Sequence, residues 1–202
     1  MSSSAASLSG RRSEAELKMA LLDPKDLPAG LVLVPTQTSA ATASSSDPQC
    51  ATLLTVINAP TAVGSLQHVD ERFSGGDRGP FVDEQINELD SRSGVIAEQE
   101  HVKAALANCS TLTVTEPGQP PSMVAFMSVP PPLAGENPVA FRATYVSGAA
   151  TGFEFTQVLT GVDDTVVILG FVGADQAQIE KIAHTATDRA TRALTGATTG
   201  TS

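Results

Sequence analysis

The sequence predicts an α+β fold: a single domain in which three to four helices pack on one twisted, largely antiparallel sheet. Helical and β-rich segments come in blocks rather than in strict alternation, which is typical of this class. With 202 residues, of which 41% are hydrophobic, the chain is long enough to bury one sizeable core. We expect the domain to span residues 13–196. Residues 1–12 and 197–202 consist mostly of small polar residues and are expected to form a disordered tether and a disordered tail.

The charge balance excludes some partners. Twelve basic residues against 22 acidic ones give a net charge of −10, which repels nucleic acid. The best apolar run, residues 165–173, is far shorter than the roughly 20 residues of a bilayer-spanning helix. Met1 is followed by serines, with neither an apolar signal region nor a lipid-attachment cysteine. A small-residue start is also what remains when a signal or membrane anchor is removed, and we expect that origin over a cytoplasmic one.

The first third of the chain predicts two short helices and a strand. Ser13 and Glu16 form a capping box that opens a helix ending before Pro24. Residues 31–34 are expected to form a brief strand, followed by a mobile loop over 36–46. The second helix begins at Asp47, and its apolar residues recur at helical spacing and turn inward: Cys50, Leu53, Leu54 and Ile57.

The middle of the chain predicts a hairpin and a longer helix. Residues 66–74 and 81–89 flank a glycine-rich turn and can pair as antiparallel strands. Ser93 is expected to open a helix whose inward stripe ends at Cys109. The remaining polar residues of this helix are expected to face solvent: Glu98, Glu100, His101 and Lys103.

The last half predicts five strands and a final helix. The strands are short, β-rich and separated by Pro, Gly or Asp: 111–115, 123–129, 139–146, 153–159 and 165–172. Asp163 and Asp164 mark a tight turn between the last two. The final helix begins at Asp175 and ends at Gly196.

Two of these strands carry apolar residues on both faces, so something must cover the second face of the sheet. A helix or loop is one possibility, and a ligand or partner surface is the other. If a ligand binds the sheet, the candidate binding residues are Arg142, Tyr145, Phe126 and Phe171.

Cys50 and Cys109 are the only two cysteines, and both fall on the apolar side of a predicted helix. We favour a disulfide over two free core thiols. A bond between them would close a loop of 59 positions, worth about 4 kcal/mol, and would imply an oxidising compartment. Two lone cysteines cannot complete a zinc site.

No catalytic or metal-binding motif is evident. His68, His101 and His184 lie in different elements, without a partner motif beside them. Glu98 and His101 could supply two metal ligands at most, so we expect no metal and no cofactor.

The acidic residues of the second hairpin strand and the turn after it are expected to be surface charge: Asp83, Glu84, Glu88 and Asp90.

One pattern of segments resembles a known family. It consists of LLDPKDLPAGL at 21–31, Cys50-Ala-Thr-Leu-Leu, and Leu106-Ala-Asn-Cys109 before the strand at 111–115. It resembles the extracellular sensor domain of PknH-like receptor Ser/Thr kinases of actinobacteria and related cell-envelope lipoproteins. The resemblance implies a twisted antiparallel sheet with packed helices, a cleft for an unknown ligand, and a place outside the membrane. Cys50 and Cys109 match the family's first cysteine pair. The second pair is absent, which favours a lipoprotein or secreted relative.

We therefore expect a non-enzymatic, extracytoplasmic ligand-binding or sensing domain of a secreted or lipid-anchored cell-envelope protein. Its ligand would be a small molecule, a lipid or a glycan, and a removed N-terminal anchor would attach it to the membrane. Two alternatives remain: a cytoplasmic structural or adaptor domain with free core thiols, and a small hydrolase using His68 or His184.

Overall fold

Residues 11–36 and 40–196 are described by a computed structural model of the chain, and within them four α-helices pack on one nine-stranded sheet. The helices are α1 (Glu14–Ala20), α2 (Ala51–Asn58), α3 (Arg92–Asn108) and α4 (Gln176–Thr195). The strands are β1 (Val32–Val34), β2 (Thr42–Ser44), β3 (Gln67–Ser74), β4 (Phe81–Glu88), β5 (Thr111–Thr115), β6 (Ser122–Ser128), β7 (Glu136–Tyr145), β8 (Glu154–Val162) and β9 (Thr165–Val172). Neighbouring strands are antiparallel throughout, in the order β1-β3-β4-β9-β8-β7-β6-β5-β2. The predicted α+β class is confirmed.

The helix starts follow local capping chemistry. Ser13 and Glu16 form the expected capping box at α1, and Asp175 forms a second one at α4. The third helix begins slightly earlier than predicted, because Ser91 rather than Ser93 caps its first turn. No helix in the part of the chain that the structure describes is long and apolar enough to cross a membrane.

The predicted mobile loop over 36–46 contains a strand, β2, which pairs with β5. Its Thr/Ala/Ser sequence carries no apolar alternation, so the pattern could not reveal it. Tertiary contacts hold it instead. The Ala43 backbone donates to Asn58 Oδ1 at 2.7 Å, and Asn58 Nδ2 donates back to the Ala43 carbonyl at 2.9 Å. Residues 37–39 of the predicted loop lie outside the described residues.

Arg12 belongs to the domain rather than to the tether predicted over residues 1–12. Its backbone N–H donates to Glu88 Oε1 at 2.9 Å, and its guanidinium contacts Asp164 and Asp163 at the β8–β9 turn. Glu88 is therefore buried, with 3% exposed, and its predicted surface position is wrong. Residues 1–10 of the predicted tether and residues 197–202 of the predicted tail lie outside the described residues. Arg11 is described and is exposed.

Helices α1 and α4 cover one face of the sheet, here called the first face. Their apolar residues pack on β3, β4, β8 and β9, around fully buried side chains such as Phe73, Ile86 and Leu169. Helices α2 and α3 pack on the opposite, second face. They cover β5 to β8 around buried residues such as Leu53, Val102 and Phe141. On the second face of β3 and β4, His68, Asp70 and Asp83 remain exposed.

Glu84, predicted to be surface charge, lies on the first face with 1% of its surface exposed. The Leu22 backbone N–H, 62 residues away in sequence, donates to its Oε2 at 2.6 Å. Burial raises the pKa of Glu84 to about 8, and the Leu22 hydrogen bond only partly opposes that rise. The prediction failed because the segment after α1 folds over this position, and no local pattern encodes that contact.

The raised pKa of Glu84 makes stability depend on pH. Between the ordinary glutamate pKa of 4.5 and about 8, the native state holds a proton that the unfolded state releases, so stability falls as pH rises. Glu84→Gln should remove this decline. Between pH 5 and pH 8 the wild type should lose on the order of 3 kcal/mol of unfolding free energy that the variant keeps. Urea unfolding at both pH values measures it. The exposed control Glu180→Gln should follow the wild type; parallel pH profiles for Glu84→Gln and the wild type would contradict the account.

Candidate functional site

A cleft of about 740 Å³ opens on the second face of the sheet. Its floor is formed by the second-face residues of β3, β4, β9 and β8, and one side is formed by β2, α2 and the segment that follows α2. Exposed polar residues line the β3–β4 end, and apolar and aromatic residues line the β6–β7 end. The cleft therefore occupies the part of the sheet that α2 and α3 leave open.

Gly170 lies in the middle of this floor. In the sheet register it stands between Asp83 on β4 and Gln157 on β8, both of which also line the cleft. A Cβ added at Gly170 would meet nothing within 4 Å except the Asp83 side chain, whose Cβ would lie 3.6 Å away. Without a side chain at this position, the cleft keeps its depth.

The wall of the cleft is the segment 48–63, here called the wall segment. Cys50, in the 3₁₀ turn before α2, is joined by a disulfide to Cys109 at the end of α3, and both are buried. This confirms the predicted cysteine pairing. The bond fixes one end of the wall segment to the helix that packs on the sheet.

The other end of the wall segment is held by hydrogen bonds to β4. Gln85 Nε2 donates to the Pro60 carbonyl at 3.1 Å, and the Ala62 N–H donates to Asn87 Oδ1 at 3.1 Å. Asn87 Nδ2 donates to Gln85 Oε1 at 3.0 Å, which closes the network. Asn87 is fully buried, so its amide is committed to this connection.

Glu98 of α3 holds the last residue of the wall segment, because the Val63 N–H donates to its Oε1 at 3.2 Å. Its side chain is buried, so the prediction that Glu98 faces solvent is wrong. Burial raises the pKa of Glu98, although the Val63 hydrogen bond and nearby His101 oppose the rise. Glu98 therefore accepts a hydrogen bond from the backbone of the wall segment. Within the described ranges no three His, Cys, Asp or Glu side chains are grouped to hold a metal.

The two ends of the cleft differ in charge. Asp70 and Asp83 lie at the β3–β4 end, where Arg72 Nε approaches Asp83 Oδ1 at 3.4 Å from beside the cleft. Asp83 is only partly shielded from water, and this partial desolvation raises its pKa; Arg72 opposes the rise, and the negative charge of Asp70 adds to it. None of the described residues lining the cleft is a lysine or an arginine.

The other end of the cleft is aromatic. The rings of Phe126 and Phe141 lie 6.0 Å apart, and those of Phe141 and Phe155 lie 6.5 Å apart edge to face. Tyr145 stands beside them, with its ring edge to face on Phe153. Phe126 and Phe141 are buried, with 6% and 1% exposed, so the half-buried Tyr145 and Phe155 present the aromatic surface of this end.

Of the four residues predicted to bind a ligand, the structure brings two to the cleft. Phe126 and Tyr145 line it. Successive residues of β7 face opposite sides of the sheet, so Arg142 lies on the first face while Tyr145 lies on the second. Phe171 is buried under α4, with 2% of its surface exposed. Neither Arg142 nor Phe171 is part of the cleft. The polar floor residues were missed because Gln85, Gln157 and Gly170 carry no apolar pattern and only the strand order assembles them.

The structure gives the hydrolase hypothesis no geometric support. His68 lines the cleft from β3, and His184 is exposed on α4. No hydrogen bond joins either ring to a serine or a carboxylate in the described part of the chain. A catalytic base needs such a positioned partner.

Comparison with known proteins supports the fold. No family model matches the sequence, and no curated protein does. Among solved structures, the chain is similar to the extracellular domain of PknH from Mycobacterium tuberculosis, with a TM-score of 0.67 and 18% identity. The likeness covers 90% of this chain and 97% of that domain. At this identity it shows a shared PknH-like fold, as the sequence resemblance implied.

The disulfide should be a major source of stability, since it closes a loop of 59 positions. The double variant Cys50→Ala with Cys109→Ala should lose about 4 kcal/mol of unfolding free energy in urea titrations. Wild-type protein measured with a reducing agent should lose the same amount and so serves as the control. A double variant as stable as the oxidised wild type would contradict this.

Proposed function

We propose that this chain is a non-enzymatic, extracytoplasmic ligand-binding or sensing domain that takes a small molecule, a lipid or a glycan into the second-face cleft. The observation that carries the proposal is the cleft itself. Its volume of about 740 Å³ lies within the range of small-molecule sites, and it combines apolar walls with a few convergent polar groups. Two of the residues that the sequence suggested for a ligand, the half-buried Tyr145 and the buried Phe126, line this cleft.

The construction of the cleft supports a binding role. Its wall segment is fixed at one end by Cys50–Cys109 and at the other by Asn87 and Glu98. A wall that is already held in place spends little free energy on ordering when a ligand binds. The floor at Gly170 leaves room that a side chain would fill.

The disulfide and the fold likeness to an extracellular domain support a place outside the cytoplasm. We extend this to a secreted or lipid-anchored cell-envelope protein, attached through an N-terminal anchor. The competing cytoplasmic adaptor would keep both thiols reduced.

Filling the cleft tests the binding proposal. Gly170→Leu should place a side chain on the floor while leaving the fold intact, because only Asp83 stands near the new Cβ. Wild-type protein incubated with organic and aqueous extracts of the source cell envelope should retain a compound detectable by native mass spectrometry, and Gly170→Leu should lose it. Ala177→Leu, on the exposed start of α4, is the matched control and should retain it. The same compound bound to Gly170→Leu, or none bound to the wild type, would contradict the proposal.

The state of the cysteines in the source cells tests the compartment. Protein recovered from those cells into an alkylating agent, without reduction, should carry no label on Cys50 or Cys109, because an oxidising compartment preserves the bond. Mass spectrometry after reduction should then reveal two newly reactive thiols as the positive control. Two labels before reduction would favour the cytoplasmic adaptor.

A further inference from the structure

We infer that the ligand of the cleft is an amphiphilic cation, an apolar chain carrying an amine or quaternary ammonium group, whose head binds at Asp70 and Asp83 and whose chain lies on the aromatic end. This inference rests on the proposed function and adds to it the chemical class of the ligand. It follows from the arrangement of charge and apolar surface within one cavity.

The polar end of the cleft is suited to a positive charge. Asp70 accepts no hydrogen bond and forms no ion pair with any described residue, and it is exposed. Asp83 also remains largely exposed, with 54% of its side chain accessible, and its contact with Arg72 is long. The described lining residues include no lysine or arginine, and Arg72 lies beside the cleft against Asp83, so an anionic head would meet the exposed carboxylate of Asp70 without a cation to offset it. The net charge of −10 favours the approach of cations as well.

The sheet register sets the distance between the two ends. Asp83 on β4 pairs with Gly170 on β9, Gly170 with Gln157 on β8, and Gln157 with Phe141 on β7. Three strand spacings separate Asp83 from Phe141, which amounts to about 14 Å. Side chains along this row change from carboxylate to none and then to amide, and the row ends at the buried Phe141. Phe155, two residues from Gln157 on β8, is half-buried and presents an aromatic ring to the cleft. A ligand crossing the row therefore needs a charged head and an extended apolar chain.

The apolar end can hold such a chain. Phe155 and Ile168 are half-buried in the floor, and Val56 and Ile57 of α2 face them from the wall. Burying a hydrocarbon chain against this surface gains about 0.8 kcal/mol for each methylene removed from water. A purely polar cation would leave this surface uncovered.

Three probes with the same tail test the inference: decyltrimethylammonium, decyl sulfate and decyl maltoside, each below its micelle concentration. Amide chemical shifts of the full chain should map the ammonium probe to Gly170 and Gln157, with affinity about tenfold above that of decyl sulfate. The double variant Asp70→Asn with Asp83→Asn should weaken the ammonium probe about tenfold. Asp188→Asn with Glu180→Gln, two exposed carboxylates of α4, is the charge-matched control and should change affinity by less than about twofold.

Each other outcome overturns the inference. Equal binding of the sulfate and ammonium probes, or no loss in the Asp70 and Asp83 variant, would contradict the assignment of a cationic head. Undiminished ammonium binding to Gly170→Leu would place the probe outside the cleft. Absence of binding by all three probes would exclude the amphiphile, whereas the envelope-extract experiment would still decide separately whether the cleft binds a ligand.

Discussion

The disulfide between Cys50 and Cys109 is the interaction on which the cleft depends, because it holds the wall segment against the rest of the domain. In the described part of the chain the nine-stranded sheet has two broad faces, and the four helices there do not cover both. Helices α1 and α4 cover the first face over β3, β4, β9 and β8, while α2 and α3 cover the second face over β5 to β8. The open part of the second face becomes a cleft only because the wall segment stands beside it.

The same physical device fixes four of the described segments that lie far apart in sequence from their anchors. A buried polar side chain accepts a hydrogen bond from the backbone of a distant segment: Glu88 from Arg12, Glu84 from Leu22, Asn87 from Ala62 and Glu98 from Val63. Three of these four acceptors lie on β4, which therefore anchors segments on both faces of the sheet. Each costs desolvation free energy, and that cost is offset only while its partner segment stays in place.

This device also explains where sequence-based prediction succeeded and failed. The β3–β4 hairpin, the α1 and α4 caps and the inward positions of both cysteines follow from local spacing, and the structure has them. The burial of Glu84, Glu88 and Glu98 depends on partners 62, 76 and 35 residues away, which no local pattern encodes. For the site, the apolar pattern of the strands offered Phe126 and Tyr145 as two of four candidate residues. The pattern could not show that Phe171 lies on the other face of the sheet from Phe126 and Tyr145, nor that Gly170 leaves the cleft floor open. Both facts depend on the order of the strands and on which helix packs over each of them.

Hydrogen–deuterium exchange of the wall segment, with the disulfide present and absent, tests this account most directly. In the double alanine variant, amides of β8, β9 and α4 should lose protection only by the global loss of about 4 kcal/mol, while amides of residues 48–63 should exchange faster than that loss explains, because the wall segment opens locally. That result would show that the disulfide shapes the cleft locally. Unchanged protection of residues 48–63, or an equal loss of protection throughout the sheet, would contradict it.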